Sequence, residues 1–305
     1  MILQQNEKQY NTVNGEVFIY HRPRFFSFLT ALPKDAAGIV MAPFHKKTIK
    51  SLLFVAGSTI LLLLTDESVS NAVQQAANGM HLHREEEYTN LLDLKMGSTD
   101  ISLLKAPKNI NTGLYQAGQG FPTMLISAGL YAYGKIHRNY RAVSTASQLT
   151  ETFILMGIGT QLLKRVSGRQ SPSETVDLEG RWHIFPSFKQ YQNHTPNYDA
   201  FPSGHLATLM STVTVLAENY PEIKWIKPVG YSVTGLVGFA MINNNVHWAS
   251  DYPLAIALGY LCAKQVVKHN RKVVNASHII KKTGSISYTF NYLYGRLMPE
   301  VVYRF

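Results

Sequence analysis

Two histidines from distant parts of the chain are the residues best suited to chemistry. The first closes the stretch Ala200-Phe201-Pro202-Ser203-Gly204-His205, which runs straight into the apolar segment Leu206 to Leu216. A helix opening here has unpaired backbone N–H groups and a partial positive charge in its first turn. The Ser-Gly pair is therefore a natural phosphate cradle with His205 at its edge. An ordinary N-terminal cap by Ser203 beside an incidental histidine fits the same residues. The second histidine lies in Val246-His247-Trp248-Ala249-Ser250-Asp251, four residues before an aspartate. If this segment is helical, that spacing puts both side chains on one face. The carboxylate then fixes the imidazole tautomer and turns the other ring nitrogen towards substrate, as a histidine nucleophile requires. A surface ion pair is the plainer alternative. A third segment, Lys164-Arg165-Val166-Ser167-Gly168-Arg169-Gln170-Ser171-Pro172, gives the apolar run Phe153 to Leu163 a cationic end. This also suits a plain helix C-terminus, closed by Gly168 and stopped by Pro172.

Taken in order, the three segments resemble the type 2 phosphatidic acid phosphatase superfamily, which also contains bacterial acid phosphatases and vanadium haloperoxidases. Its pattern is K-x6-R-P, then P-S-G-H, then S-R-x5-H-x3-D. Lys164, Pro172, Pro202, Ser203, Gly204, His205, His247 and Asp251 match, and the resemblance covers Leu149 to Lys268. It implies an all-α helical bundle that hydrolyses phosphate monoesters without metal or cofactor. In the implied mechanism His247 attacks phosphorus, Asp251 orients it and His205 protonates the leaving alcohol. Lys164, the Ser203 hydroxyl and the Gly204 amide hold the equatorial oxygens.

Two departures concern one task. The family's first arginine is Ser171 here, and the Ser-Arg pair of the third motif is Ala240-Met241. Guanidinium groups grip phosphate with bidentate, charge-assisted bonds that serine and methionine do not supply. Arg169 is the expected stand-in, because Gly168 lets the helix end and the arginine turn inward. Arg165, Arg181, His183 and Asn243 to Asn245 are further substitutes. The departures keep two rivals in view. One is a haloperoxidase holding vanadate at the phosphate site, although that chemistry needs the arginines at least as much. The other is a degenerate member acting as a lipid-headgroup binder or envelope scaffold.

Positioning these residues requires a packed set of helices. Apolar runs of helical length lie at Ser51 to Leu64, Phe121 to Tyr133, Phe153 to Leu163, Leu206 to Leu216, Val229 to Ile242 and Pro253 to Val267. The first falls short of the roughly 20 apolar residues of a membrane span. Polar residues within most of the others, and a mean hydropathy of -0.07, favour a helical bundle lying on a membrane over a set of lipid-facing spans. Two polar connections, Asp66 to Asn111 and Ser171 to Phe201, join the helices. The tail Ser285 to Phe305 alternates around Tyr288, Phe290, Tyr292 and Tyr294, then breaks at Gly295 and Pro299, which predicts a short C-terminal β-hairpin. A single domain over 1–305 is expected, with an accessory segment at 1–48, the motif-bearing core at 149–268 and the β-like tail at 285–305.

Composition narrows the partners. Apolar residues make up 46% of the 305 and charged residues 16%, which excludes a largely disordered chain. A formal charge of +10 suits anionic partners. No basic run interleaved with aromatics appears, so nucleic acid is set aside, leaving a phosphorylated lipid or small phosphate ester and a membrane surface. The expected location is the cell envelope, membrane-associated or periplasmic, although Met1 to Asn14 lacks a secretory pattern. Cys262 stands alone, so no intrachain disulfide forms. His81 and His83 beside Glu85 to Glu87 read as a solvated charged run and not as metal ligands. Trp182, Phe185, Phe188, Tyr191 and Tyr198 either line a substrate mouth or anchor a long loop.

Overall fold

The structure, a computed structural model, describes residues 7–12, 15–21, 26–46, 48–82, 84, 87–96, 99–175, 180–275, 285–293 and 296–304. Its centre is a group of packed helices: α5 (Gly120–Ile136), α6 (Tyr140–Ser167), α8 (Gly204–Asn219), α9 (Ile226–Asn243) and α10 (Tyr252–Asn270). The helix α6 is held at both ends. The Asn139 side chain accepts from the Ala142 N–H at 3.1 Å, and Gly168 ends the helix in the left-handed region at φ 51°. Its first half escapes the apolar pattern because polar residues, Ser144, Thr145, Gln148, Glu151 and Thr152, are buried among the apolar Ala142, Val143, Ala146 and Leu149. The helix therefore begins well before the expected Phe153.

The core joins Met156 of α6, Leu206 and Ala207 of α8, Val237, Ala240 and Met241 of α9, and Ala255 and Cys262 of α10. The α8–α10 crossing is close. A Cβ on Gly259 would stand 2.3 Å from the Ala207 carbonyl oxygen, so only glycine fits there.

The segments read as connections and accessory chain hold further elements. They include α1 (Ser27–Met41), α2 (Ile49–Leu63), α3 (Asp66–Gly79), α4 (Ile110–Ala117) and α7 (Phe188–Asn193). Strands β1 (Glu7–Asn11), β2 (Glu16–His21) and β5 (Lys272–Asn275) form an antiparallel sheet in the order β1-β2-β5, which ties the first described residues to the end of α10. A hairpin of β3 (Tyr88–Met96) and β4 (Thr99–Pro107) occupies part of the first polar connection. The expected C-terminal hairpin forms from β6 (Ser285–Leu293) and β7 (Arg296–Arg304). Pro299 lies within β7, opposite Phe290, and not at a break. Tyr294 and Gly295 fall outside the described residues, as do His83, Glu85 and Glu86.

No single helix among the described residues is long and apolar enough to cross a membrane. The pair α2 and α3 has the composition together but bends by 72° at the break. The helix α2 buries none of its residues and exposes Leu52, Leu53, Phe54, Ile60 and Leu61.

Candidate active site

Ser203 caps α8, its hydroxyl accepting from the Leu206 N–H at 3.5 Å, and it is fully buried. Gly204 opens the helix beside free space, where an added Cβ would meet nothing within 4 Å. His205 follows, half-buried, with its ring 4.8 Å from that of Tyr115. Gly118 makes this possible, because a Cβ there would lie 2.9 Å from both the His205 Cβ and a Val237 methyl. Burial, then the neighbouring His247 and Lys164, pull the His205 imidazole down to about 3, so it is neutral at neutral pH.

His247 is reached from the other side. The segment between α9 and α10 does not meet the condition that it be helical. It is an irregular turn followed by a 3-10 turn at Ala249–Asp251. The pairing forms nevertheless: His247 Nδ1 lies 3.3 Å from Asp251 Oδ2, which also accepts the Trp248 N–H at 2.8 Å. With Nδ1 on the carboxylate, Nε2 is the nitrogen left for substrate. The Asp251 carbonyl accepts from the Ser203 N–H at 3.1 Å, so the two motifs are joined directly through their backbones. The rings of His205 and His247 stand 5.9 Å apart, centroid to centroid, and meet edge to face.

Arg169, the expected phosphate-gripping stand-in, is placed otherwise. Its side chain is fully buried, and both terminal nitrogens serve the protein: Nη1 donates to Asp251 Oδ1 at 2.5 Å and to the Ser250 hydroxyl at 2.6 Å, while Nη2 donates to Asp66 Oδ2 at 2.7 Å. Two buried carboxylates at this distance outcompete a solvent-borne anion for the fork, which leaves Arg169 as the clamp behind Asp251. Asp66, the first residue of α3, completes the clamp by accepting from the Ser250 N–H at 2.9 Å and from the Ser250 hydroxyl. Neither Asp66 nor Ser250 is marked in the sequence. Asp66 appears there as the acidic flank of an apolar run, 103 residues from Arg169.

Among the remaining cations, Lys164 is buried and donates to Asp199 at 3.3 Å. Arg165 is stacked on the Tyr191 ring, its Cζ 3.7 Å from the centroid. At the two vacated arginine positions, Ser171 is buried with its N–H on the Pro196 carbonyl, and Met241 is sealed in the apolar core. A cleft of about 430 Å³ leads to the cradle, lined by Tyr115, Phe153, Gln161, Lys164, Gly204 and His205. His247, only 2% exposed, sits behind His205. In the aromatic loop Tyr191 and Tyr198 stack on each other and anchor the segment, Ile184, Phe185 and Phe188 are strongly exposed, and none of these residues lines the cleft at the cradle.

Residues 145–273 match the sequence model of the PAP2 superfamily. A lipid A 1-phosphatase of Porphyromonas gingivalis is 38% identical over 137 residues, which are 42% of this chain and 30% of that protein. The chain thus spans under a third of the length of this curated relative. Two solved structures are similar at low identity. LpxE of Aquifex aeolicus is 20% identical with a TM-score of 0.37, covering 52% of this chain and 83% of that one. The transmembrane PAP2 type phosphatidylglycerolphosphate phosphatase of Bacillus subtilis is 16% identical with a TM-score of 0.40, covering 80% and 94%.

Proposed function

We propose that this protein, whose residues 145–273 match the PAP2 superfamily model, is a phosphatase of that superfamily that removes phosphate from a phosphorylated lipid at the surface of an envelope membrane. The observation that carries the reading is the convergence of the two histidine rings, 5.9 Å apart, at the first turn of α8 with Asp251 behind His247. In the proposed reaction, His247 Nε2 attacks phosphorus and the P–O bond to the alcohol breaks. His205 gives its proton to the leaving oxygen. Water then attacks the phosphohistidine, returns a proton to His205 and releases inorganic phosphate.

His205 is neutral at neutral pH, so the acid has to be charged by the substrate. A phosphate dianion beside it opposes the field of Lys164 and raises its proton affinity as the complex forms. Lys164, the Gly204 N–H and the Ser203 hydroxyl, whose proton is left free by the cap, supply the oxyanion contacts. Arg169 and Asp66 act through Asp251.

A lipid substrate is supported by the lipid A 1-phosphatase relative, the apolar face of α2, and Ile184, Phe185 and Phe188 exposed on the loop leading to the cradle. The test is phosphate release from lipid phosphates in mixed micelles against soluble monoesters. Micellar substrate should be preferred, and His247→Ala should cut turnover by more than about 10³-fold. Equal turnover by parent and variant would remove the mechanism. Ser171 and Met241 in the arginine positions favour a second reading, a non-catalytic headgroup binder, which predicts lipid-phosphate binding with no phosphate release from any member of the panel.

A further inference from the structure

Far from the histidine pair, α1, α6 and α10 bring Asp35, Glu151 and His269 together, with one potential ligand atom from each within 4.8 Å of the others. Glu151 lies about 20 Å along α6 from Lys164 at the rise of an α-helix, so this cluster belongs to a different end of the bundle. Both carboxylates are fully buried. Their neighbours are uncharged or only conditionally charged. Asp35 accepts from the Gln265 amide at 3.0 Å and meets His269 Nδ1 at 2.8 Å, and Glu151 Oε2 accepts from the Asn270 amide at 3.0 Å. Glu151 Oε1 is buried with no hydrogen-bond partner, and no Lys or Arg pairs with either carboxylate among the described residues.

Two adjacent buried carboxyls need either a shared proton or a cation between them, since an unpaired buried charge costs several kcal/mol or more by general transfer data. Burial and then Asp35 raise the Glu151 carboxyl to about 9. A divalent ion seated among the three side chains takes the place of the shared proton. We propose that Asp35, Glu151 and His269 hold one divalent first-row transition ion, of the Zn²⁺ or Mn²⁺ kind, that fastens α1 to α6 and α10. The donor set decides the class. Imidazole nitrogen with two carboxylate oxygens suits Zn²⁺ and Mn²⁺, whereas Ca²⁺ and Mg²⁺ take oxygen ligands and more of them. Metal–ligand bonds of about 2.0–2.2 Å put the ligand atoms of one ion about 3–4 Å apart, so the cluster needs only small side-chain movements.

The surroundings are built for it. Gln265 orients Asp35 from outside the ligand set, and Gly38 lets it do so, because a Cβ at Gly38 would stand 2.5 Å from the Gln265 amide nitrogen. The His269 side chain is 29% exposed and gives the ion its way in. The phosphatase resemblance asks for no metal at the phosphate site, and this ion takes no part in the reaction.

The experiment uses the full chain without a histidine tag, stripped with chelator and titrated with Zn²⁺ and Mn²⁺ by calorimetry, with thermal unfolding as a second readout. One equivalent should bind and raise the unfolding temperature. Glu151→Gln and His269→Ala, each with parent-like circular dichroism, should lose both effects, and Gln265→Leu should weaken binding by about 10–100-fold. His247→Ala should bind as the parent does, which separates this site from the histidine pair. Absence of binding, as expected if the two carboxyls simply share a proton, would overturn the proposal. So would binding that survives Glu151→Gln and His269→Ala.

Discussion

Replacing Arg169 with lysine separates a clamp from a phosphate grip. The guanidinium reaches three acceptors at once, Asp251 Oδ1 at 2.5 Å, the Ser250 hydroxyl at 2.6 Å and Asp66 Oδ2 at 2.7 Å, all of them buried. A lysine ammonium lacks the planar fork and cannot serve both carboxylates in this geometry. Hydrogen bonds to charged groups contribute about 1.5–3 kcal/mol each, so losing two costs about 3–5 kcal/mol, in the range for a broken buried ion pair. At about 2–4 °C per kcal/mol for a domain of this size class, the unfolding temperature should fall by about 6–20 °C. Asp251 would lose its anchor, and His247 would drift with it. A misplacement of about 1 Å lowers turnover by up to about 100-fold. Thermal unfolding, steady-state kinetics and inhibition by inorganic phosphate measure the three quantities. A clamp predicts a lower unfolding temperature and kcat, with the phosphate inhibition constant changed less than about threefold. An unchanged unfolding temperature with phosphate inhibition weakened tenfold or more would refute it and make Arg169 the missing grip.

Three further outcomes follow from the same geometry. Asp66→Asn turns an amide towards donors on Arg169 and Ser250, and should cost about 2–4 kcal/mol in denaturant unfolding while lowering kcat. Gly118→Ala pushes a methyl against His205 and Val237, and overpacking of about 1–3 kcal/mol should appear in unfolding together with reduced turnover. His205, held down to about 3 when folded against 6.5 ordinarily, leaves the unfolded chain binding a proton that the folded chain refuses between those values. Stability therefore falls as pH drops through that window, and His205→Gln should unfold less readily than the parent at pH 5, by about 1–2 kcal/mol, with no such gain at pH 8.

Apolar runs located α5, α8, α9 and α10 to within a few residues; α8, α9 and α10 pack apolar residues into the main core, and α5 sets Leu130 against a second cluster around Leu149 and Val215. The first half of α6 was hidden by the buried polar series Ser144, Thr145, Gln148 and Glu151, of which Ser144 and Thr145 bond within α6 while Gln148 and Glu151 accept from Asn219 of α8 and Asn270 of α10. The helix α1 carries Pro33 and lies in a segment that shows no apolar run. In the site, the meeting of Ser203 and His205 with His247 and Asp251 was implied by the family resemblance that their order and spacing carry; spacing alone pairs only His247 with Asp251. The fate of Arg169 was not legible. Gly168 does turn it inward as expected, but the carboxylate waiting there, Asp66, comes from α3, and only tertiary structure brings it to Asp251.

The direct measurement is chemical trapping of the intermediate. An aryl phosphate with a good leaving group needs little help from the His205 proton to leave, but breakdown of the phosphohistidine still needs His205 as base. His205→Ala quenched with alkali during turnover should therefore carry one phosphate per chain, stable to base, labile to acid and located on His247 by peptide mass spectrometry. Label on another residue, or parent enzyme that turns over while neither it nor the variant is ever labelled, would contradict nucleophilic attack by His247.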